Sequence, residues 1–171
     1  MVLPVIAFKN PVMQDPLGQL PVPASTFAGE VDSLFYFLLW VSIASFAVIV
    51  AALVYSAIAH RRKTPDQPAL SQTTHSTMLE VAWTLVPTVV VMVAFAWGYK
   101  GNLEQQIAPG DALQYRVVAS KWNWAFFHPG ATTPSEHLYV PIDKPVKLTM
   151  TSEDVLHSFY IPSFRIKRDV L

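Results

Sequence analysis

The hydrophobic positions of the chain form two long uncharged runs separated by a polar loop. The first run covers residues 34–59 and the second covers residues 81–99, which include Pro87. As a helix of about 1.5 Å per residue, the first run would be roughly 39 Å long, which exceeds the ~30 Å hydrocarbon core of a bilayer. A buried helix of a soluble protein is the alternative, but it needs a larger core than 171 residues can build. The pattern predicts two transmembrane helices.

The charges beside these runs predict how the helices are oriented. Three consecutive basic residues occupy positions 61–63, and the loop over 60–78 sets a single acid, Asp66, against them. Glu30 and Asp32 stand before the first run. Because Lys and Arg in short loops mark the cytoplasmic side, we expect the loop inside and both termini outside. The expected location is the bacterial inner membrane with periplasmic termini, and the mitochondrial inner membrane is the alternative.

Short alternating segments replace the long runs after the second predicted helix. Residues 113–117 and 146–150 alternate between apolar and polar side chains, and aromatic residues fill every second position of 122–126. Proline and glycine interrupt these segments. A period of two with such turns is typical of an antiparallel sandwich or barrel. We therefore predict a β domain over residues 101–171, outside the membrane.

Composition supports a membrane protein and narrows its chemistry. Hydrophobic residues make up 52% of the chain and charged residues 14%, whereas a soluble domain carries about 25% charge. The formal net charge of zero gives no general attraction to nucleic acid. The chain has no cysteine, which excludes a disulfide or a thiol ligand within it. Residues 1–29 are rich in proline and are expected to form an extended arm before the helical hairpin of 30–100. A cleaved signal is the alternative for this arm.

Three segments of the chain resemble subunit II of the haem–copper respiratory oxidases. They are residues 75–87, residues 120–124 (Ser-Lys-Trp-Asn-Trp) and residues 144–163, which contain the run Glu-Asp-Val-Leu-His-Ser. The resemblance implies a two-helix hairpin followed by an antiparallel, cupredoxin-like β domain. It also implies electron transfer from cytochrome c, through dinuclear copper A, to haem in subunit I. Subunit I would hold copper B and carry out oxygen reduction and proton pumping. The implied partners are subunit I, other oxidase subunits, cytochrome c and the lipid bilayer.

Two residues outside the copper segment acquire roles from this resemblance. Glu80 stands at the start of the second predicted helix, where an acid is ordinarily a cap that favours the helix dipole. The resemblance instead implies that Glu80 collects protons for a path into subunit I. Trp122 matches the family position that receives electrons from cytochrome c. The alternative for an aromatic residue in such a segment is packing in the sheet core.

His157 is the candidate metal ligand. A single histidine in an apolar strand is more often a hydrogen-bonded core residue, but the resemblance implies that it binds one ion of copper A. Imidazole suits copper, and thiolates complete such sites. The family's cysteines, second histidine and methionine lie further along, so we expect a chain that continues beyond Leu171, with the domain incomplete here. Glu153 and Asp154 are implied to dock cytochrome c, and a polar turn is their alternative.

Two other functions compete with the cytochrome c oxidase interpretation. A quinol-oxidase subunit II keeps the fold without copper, which suits the absence of cysteine but leaves His157 without a purpose. A non-enzymatic two-span anchor with an outer ligand-binding domain is the second alternative. It does not explain why Glu80, Trp122 and His157 occur together.

Overall fold

The structure is a computed structural model, and it describes residues 2–4, 17–68, 71 and 73–171. The chain divides into two compact units. One unit is Leu34–Trp97, and the other combines Met1–Ser33 with Gly98–Leu171. The first unit contains most of a helical hairpin, and the second contains the beginning of one helix and the end of the other together with a β domain.

Two helices account for the hydrophobic runs. Helix α1 spans Ala28–Ala59 and helix α2 spans Thr77–Glu104. Among the described residues, these two are long and apolar enough to cross a membrane, and their apolar stretches are not buried within the chain. Each helix begins before its apolar run. Helix α1 starts early because the hydroxyl of Ser25 accepts the Ala28 N–H at 3.1 Å, a bond typical of a helix cap.

The β domain consists of two small sheets. Its strands are β1 (Val2–Pro4), β2 (Leu113–Ser120), β3 (Asn123–Phe127), β4 (Val146–Ser152), β5 (His157–Ile161) and β6 (Ile166–Val170). The first sheet has the order β1-β4-β2-β3, and the second pairs β5 with β6. A short 3-10 helix over Pro162–Phe164 joins β5 to β6. The two-helix hairpin followed by a cupredoxin-like β domain is therefore confirmed.

The strand arrangement differs from the prediction in one detail. The pairs β1–β4, β2–β3 and β5–β6 are antiparallel, but β2 and β4 run parallel. A parallel pair requires a long crossover connection, and here β3 and residues 128–145 provide it. The alternation of apolar and polar residues within a strand does not show whether it pairs in parallel or antiparallel, because a period of two is common to both kinds of pairing. The sheet is mixed rather than wholly antiparallel.

The core of the domain lies between the two sheets. The parallel pair places Tyr115 opposite Leu148 and Val117 opposite Met150, and all four side chains are buried. The second sheet and its connection complete the core with the buried residues Phe159, Phe164, Ile166 and Val170. The alternation predicted over residues 146–150 thus marks the strand face that packs inward.

The N-terminal segment is attached to this domain. Strand β1 forms one edge of the first sheet and pairs with β4, with Leu3 opposite Leu148. Further along, the Ala24 N–H donates to the Ser163 carbonyl at 2.7 Å, and the Ser25 hydroxyl donates to the Phe164 carbonyl at 2.9 Å. The arm predicted over residues 1–29 is thus partly ordered against the β domain. Residues 1 and 5–16 of that arm lie outside the described residues.

Candidate functional site

The most exposed aromatic residue of the β domain stands on the turn between β2 and β3. Ser120 pairs with Asn123, which leaves Lys121 and Trp122 as the two turn residues. Trp122 is 96% exposed. The alternating aromatic residues of 122–126 therefore do not all lie in a strand, because Trp122 is in the turn and β3 begins only at Asn123. Phe126 is buried, as expected for a core residue.

A single carboxylate joins this turn to the start of β5. Asp154 accepts the backbone N–H of Lys121 at 2.7 Å and that of Val155 at 2.7 Å. It also lies 2.6 Å from Nε2 of His157. The hydroxyl of Ser152 stands 3.5 Å from the same carboxylate. Asp154 therefore fixes the position of the Trp122 turn relative to the ring of His157.

These bonds determine the charge and the tautomer of the pair. They hold the pKa of Asp154 well below its ordinary value, chiefly through the His157 hydrogen bond and secondly through the Val155 N–H. Because an ionised carboxylate can only accept, Nε2 of His157 carries the proton in this bond. In the neutral ring the lone pair then resides on Nδ1. The side chains of His157 and Asp154 are 17% and 28% exposed, so the pair lies at the rim of the core.

Aromatic packing holds the other side of the His157 ring. The ring of Trp124 meets it edge to face, with centroids 5.9 Å apart, and also meets Phe159 at 5.4 Å. Trp124 is half-buried and belongs to the margin of the core. Aromatic pairs in this geometry are favourable beyond simple burial. The orientation of His157 is thus set by a carboxylate and by a tryptophan ring.

The segment before His157 presents an acid and two apolar side chains. The Glu153 N–H donates to the Ala119 carbonyl at 3.0 Å, which fixes the segment against the end of β2. The side chain of Glu153 is exposed. Val155 and Leu156 are 46% and 60% exposed. The structure therefore brings the Trp122 turn, Glu153, Asp154 and His157 together at one end of the β domain.

Glu80 belongs to the other unit of the chain. It lies in the first turn of α2, where its N–H donates to the Ser76 carbonyl at 2.9 Å. Its side chain is exposed. A carboxylate in this position favours the helix dipole.

The donors present do not amount to a dinuclear copper site. Among the described residues there is no group of three or more histidine, aspartate or glutamate side chains that could hold a metal ion. The chain also has no cysteine to supply a thiolate. His157 offers Nδ1 as one donor, and a single imidazole does not hold two copper ions.

Two site contacts were not predicted from the sequence. The role of Asp154 as the anchor of the Trp122 turn depends on the Lys121 N–H, which is 33 positions away. The ring contact of Trp124 with His157 joins separate strands. The sequence signal that could have suggested the first is the spacing Asp-x-x-His at the start of a strand. Nothing in the sequence marks the second.

Comparison with known proteins identifies two matching family models. Residues 14–98 match the model of the cytochrome c oxidase subunit II transmembrane domain, and residues 129–171 match that of the subunit II periplasmic domain. Trp122 lies between the two matched ranges, whereas Glu80, Asp154 and His157 lie within them. Membership of a transmembrane-domain family places the chain in a membrane.

Similar proteins of known name agree with these models. Cytochrome c oxidase subunit 2 of Synechocystis sp. is 28% identical over 201 residues, covering 90% of this chain and 60% of the relative. Cytochrome c oxidase subunit 2 of Cereibacter sphaeroides is 25% identical, covering 86% and 61%. The probable subunit 2 of Rickettsia conorii is 24% identical, covering 87% and 54%. The chain thus spans little more than half to three fifths of the length of these relatives.

Proposed function

The chain belongs to the family of cytochrome c oxidase subunit II, and on that premise we propose that it receives electrons from cytochrome c for a respiratory terminal oxidase. It would pass them toward haem in subunit I, where oxygen reduction and proton pumping take place. One observation carries the proposal. The Asp154 carboxylate connects the turn of the fully exposed Trp122 with the ring of His157.

We place the docking of cytochrome c around Trp122. A flat, exposed indole offers an apolar contact that a soluble partner can cover, and aromatic residues are common at the centres of such contacts. Val155 and Leu156 extend the apolar surface near it. Acidic residues at the rim would guide a positively charged partner. Both acids are exposed residues, but the carboxylate of Asp154 is bound by internal donors.

The family implies copper A, and His157 would contribute to it through Nδ1, because Nε2 is bonded to Asp154. A bound copper centre supplies a reversible one-electron carrier. The residues of this chain hold the imidazole in position and shield one side of it with Trp124. The chain has no cysteine to supply the thiolates of such a centre.

We propose that Glu80 gathers protons on the inner side, with the loop over 60–78 in the cytoplasm and the β domain outside. The basic residues at positions 61–63 support this orientation. An exposed carboxylate at the start of a membrane helix can bind and release protons from solvent, and ionisable residues at membrane depth often serve proton transfer. The quinol-oxidase and two-span-anchor alternatives gain no support from the family models or the named relatives.

The electron-transfer role of Trp122 is tested in the assembled oxidase by mixing it with reduced cytochrome c in a stopped-flow instrument. We expect Trp122→Leu to slow electron transfer by about tenfold or more, which corresponds to at least ~1.4 kcal/mol of barrier. The dissociation constant of cytochrome c should change less than the rate. Glu153→Gln should show the reverse pattern, with weaker docking that depends on salt.

The matched control is Tyr139→Leu, which removes another exposed aromatic ring from the same domain. It should leave both the rate and the affinity unchanged. Equal electron-transfer rates in Trp122→Leu and the unmodified oxidase would remove Trp122 from the path. Oxidation of a quinol instead of cytochrome c by the purified complex would overturn the proposed donor.

A further inference from the structure

Arg165 occupies a backbone position that usually belongs to glycine. It follows the 3-10 helix Pro162–Phe164 with φ 57° and ψ 34°, in the left-handed region. Its N–H donates to the Pro162 carbonyl at 3.0 Å, which closes the turn before β6. A side chain other than glycine is strained in this conformation. The guanidinium therefore makes contacts that offset the strain.

The guanidinium of Arg165 connects three separate parts of the chain. Its Nε and Nη2 bond the two carboxylate oxygens of Asp32 at 2.6 Å and 3.0 Å, in the bidentate geometry that arginine favours. Nη2 also donates to the Pro21 carbonyl at 2.6 Å, and Nη1 donates to the Pro162 carbonyl at 2.8 Å. The arm, the start of α1 and the β5–β6 connection thus converge on a single side chain.

This ion pair is largely shielded from water. The side chains of Arg165 and Asp32 are 7% and 18% exposed, so salt screens their interaction much less than it screens a surface pair. Two further bonds lie beside it: the Ala24 N–H donates to the Ser163 carbonyl, and the Ser25 hydroxyl donates to the Phe164 carbonyl. The Ser25 hydroxyl also receives the N–H of Ala28, which has no exposed surface. The ion pair therefore stands in an ordered contact between the arm, the start of α1 and the β domain.

We propose that Asp32 and Arg165 act as a clamp that holds the β domain to the start of α1. Strands β2–β6 are joined covalently to the helices by the segment 105–112 after α2, which contains no helix or strand. A single connection of this kind leaves these strands free to rotate, and bonds to the start of α1 oppose that rotation. The clamp also restrains β6 and, through the pair Ile161–Ile166, the strand that begins at His157. This inference does not depend on the electron-transfer role proposed above.

The absence of cysteine from the chain makes the clamp accessible to spin-label distance measurements. Cysteines are introduced at Gly29, where an added Cβ meets nothing within 4 Å, and at the exposed Asp169. Pulsed electron paramagnetic resonance then gives the distribution of distances between them in the full protein in lipid nanodiscs. We expect one narrow distribution for the unmodified clamp. Asp32→Asn and Arg165→Gln should widen it about twofold or more, because each leaves a shielded charge or its carbonyl partners unpaired.

Two matched variants control for loss of charge alone. Glu30→Gln removes a carboxylate two positions from Asp32, and Lys167→Gln removes a cation two positions from Arg165. Both residues are exposed, and both variants should retain the narrow distribution. If they widen it as much as Asp32→Asn does, the effect belongs to net charge and the clamp is overturned.

A conservative variant covers the case in which Arg165→Gln does not fold. Arg165→Lys keeps the charge but cannot reproduce the two-pronged bond to Asp32. Its distribution should be wider than that of the unmodified protein and narrower than that of Asp32→Asn. A distribution as narrow as the original in both Arg165→Lys and Asp32→Asn would overturn the inference. Electron-transfer rates play no part in this readout, so failure here leaves the proposed function standing.

Discussion

The helical hairpin and the β domain are both rich in apolar side chains, but the hairpin exposes these side chains and the β domain buries them. Phe46, Val48 and Ile58 of α1 are 69–74% exposed, whereas Leu148 and Met150 of β4 are at most 1% exposed. The hairpin satisfies its backbone hydrogen bonds within each helix and leaves its apolar surface exposed, where lipid can cover it. The β domain buries its apolar surface within itself.

This difference extends to the candidate functional residues. Glu80 stands in the first turn of α2, and the contribution proposed for it is chemical. Asp154 and His157 stand where several segments meet, and each helps to hold the other in position. A substitution in the hairpin therefore tests function directly, while a substitution in the β domain changes structure and function together. The two regions require different controls.

The largest contrast is expected in access from the two sides of the membrane. A cysteine at Gln67 in the loop should react with an impermeant thiol reagent from the cytoplasmic side alone, because basic residues retain that loop inside. A cysteine at Thr132 in the β domain should react from the other side alone. Sealed cells and inverted vesicles provide the two conditions. Labelling of position 67 in sealed cells would reverse the orientation.

Truncation of one apolar side chain should destabilise the protein much more in the β domain than in the hairpin. Met150→Ala should lower the unfolding free energy of the β domain by about 2–5 kcal/mol, because it leaves a cavity in a packed core. Leu53→Ala in α1, where the side chain is 65% exposed, should change the same quantity by less than ~0.5 kcal/mol. Denaturant titration monitored by tryptophan fluorescence in detergent measures both. Comparable losses would mean that α1 contributes to the stability of the β domain.

A smaller effect is expected from the two carboxylates at opposite ends of α2. Glu80→Gln should slow proton uptake during turnover by about tenfold or less, equivalent to at most ~1.4 kcal/mol of barrier. Reduction of haem by cytochrome c should remain unchanged. Glu104→Gln, which removes an acid from the last turn beside Lys100, should alter neither rate. If Glu80→Gln left the rate of proton uptake unchanged at every pH, Glu80 would not belong to the proton path.

The smallest effect is the contribution of Asp154 to the pH dependence of the stability of the β domain. Its pKa is lower in the folded protein than the ordinary 3.8, so the folded state binds the proton less readily than the unfolded state does. The stabilisation is therefore present above the ordinary pKa and is lost as the pH falls through and below it. Asp154→Asn should flatten this acid-side decline in the denaturation midpoint, and Glu153→Gln should not. If the denaturation midpoint declined equally at low pH in the unmodified protein and in both variants, Asp154 would not be the source of this pH dependence.

The hairpin was predictable from the sequence because a helix that crosses a bilayer needs an uncharged run of a minimum length, and such runs are visible in the sequence. It missed the early start of α1, which depends on the cap at Ser25 and on contacts with residues near the end of the chain. The alternation of residues 146–150 correctly marked a core strand. The same reasoning failed for Trp122, because alternation does not show where a strand yields to a turn.

The candidate site was predicted only as a set of separate residues. The resemblance selected Glu80, Trp122, Glu153, Asp154 and His157, and their roles remain predictions. What could not be predicted is that one carboxylate serves both the turn and the imidazole, because this depends on how β2, β3 and β5 meet. The role of Arg165 could not be predicted for a similar reason. Its left-handed backbone and its partner at Asp32 have no signature in the local sequence.

The pair Asp32–Arg165 also has a consequence for how the protein is made. The two residues are 133 positions apart, so Asp32 leaves the ribosome long before its partner exists. During that interval both helices can enter the bilayer while the arm and the start of α1 have no domain to bind. Bringing two such distant residues together has an entropic cost, and this cost grows only slowly with the length of the intervening segment. Once the strands have formed, most of that cost has been met, and the clamp closes as a late step of biogenesis.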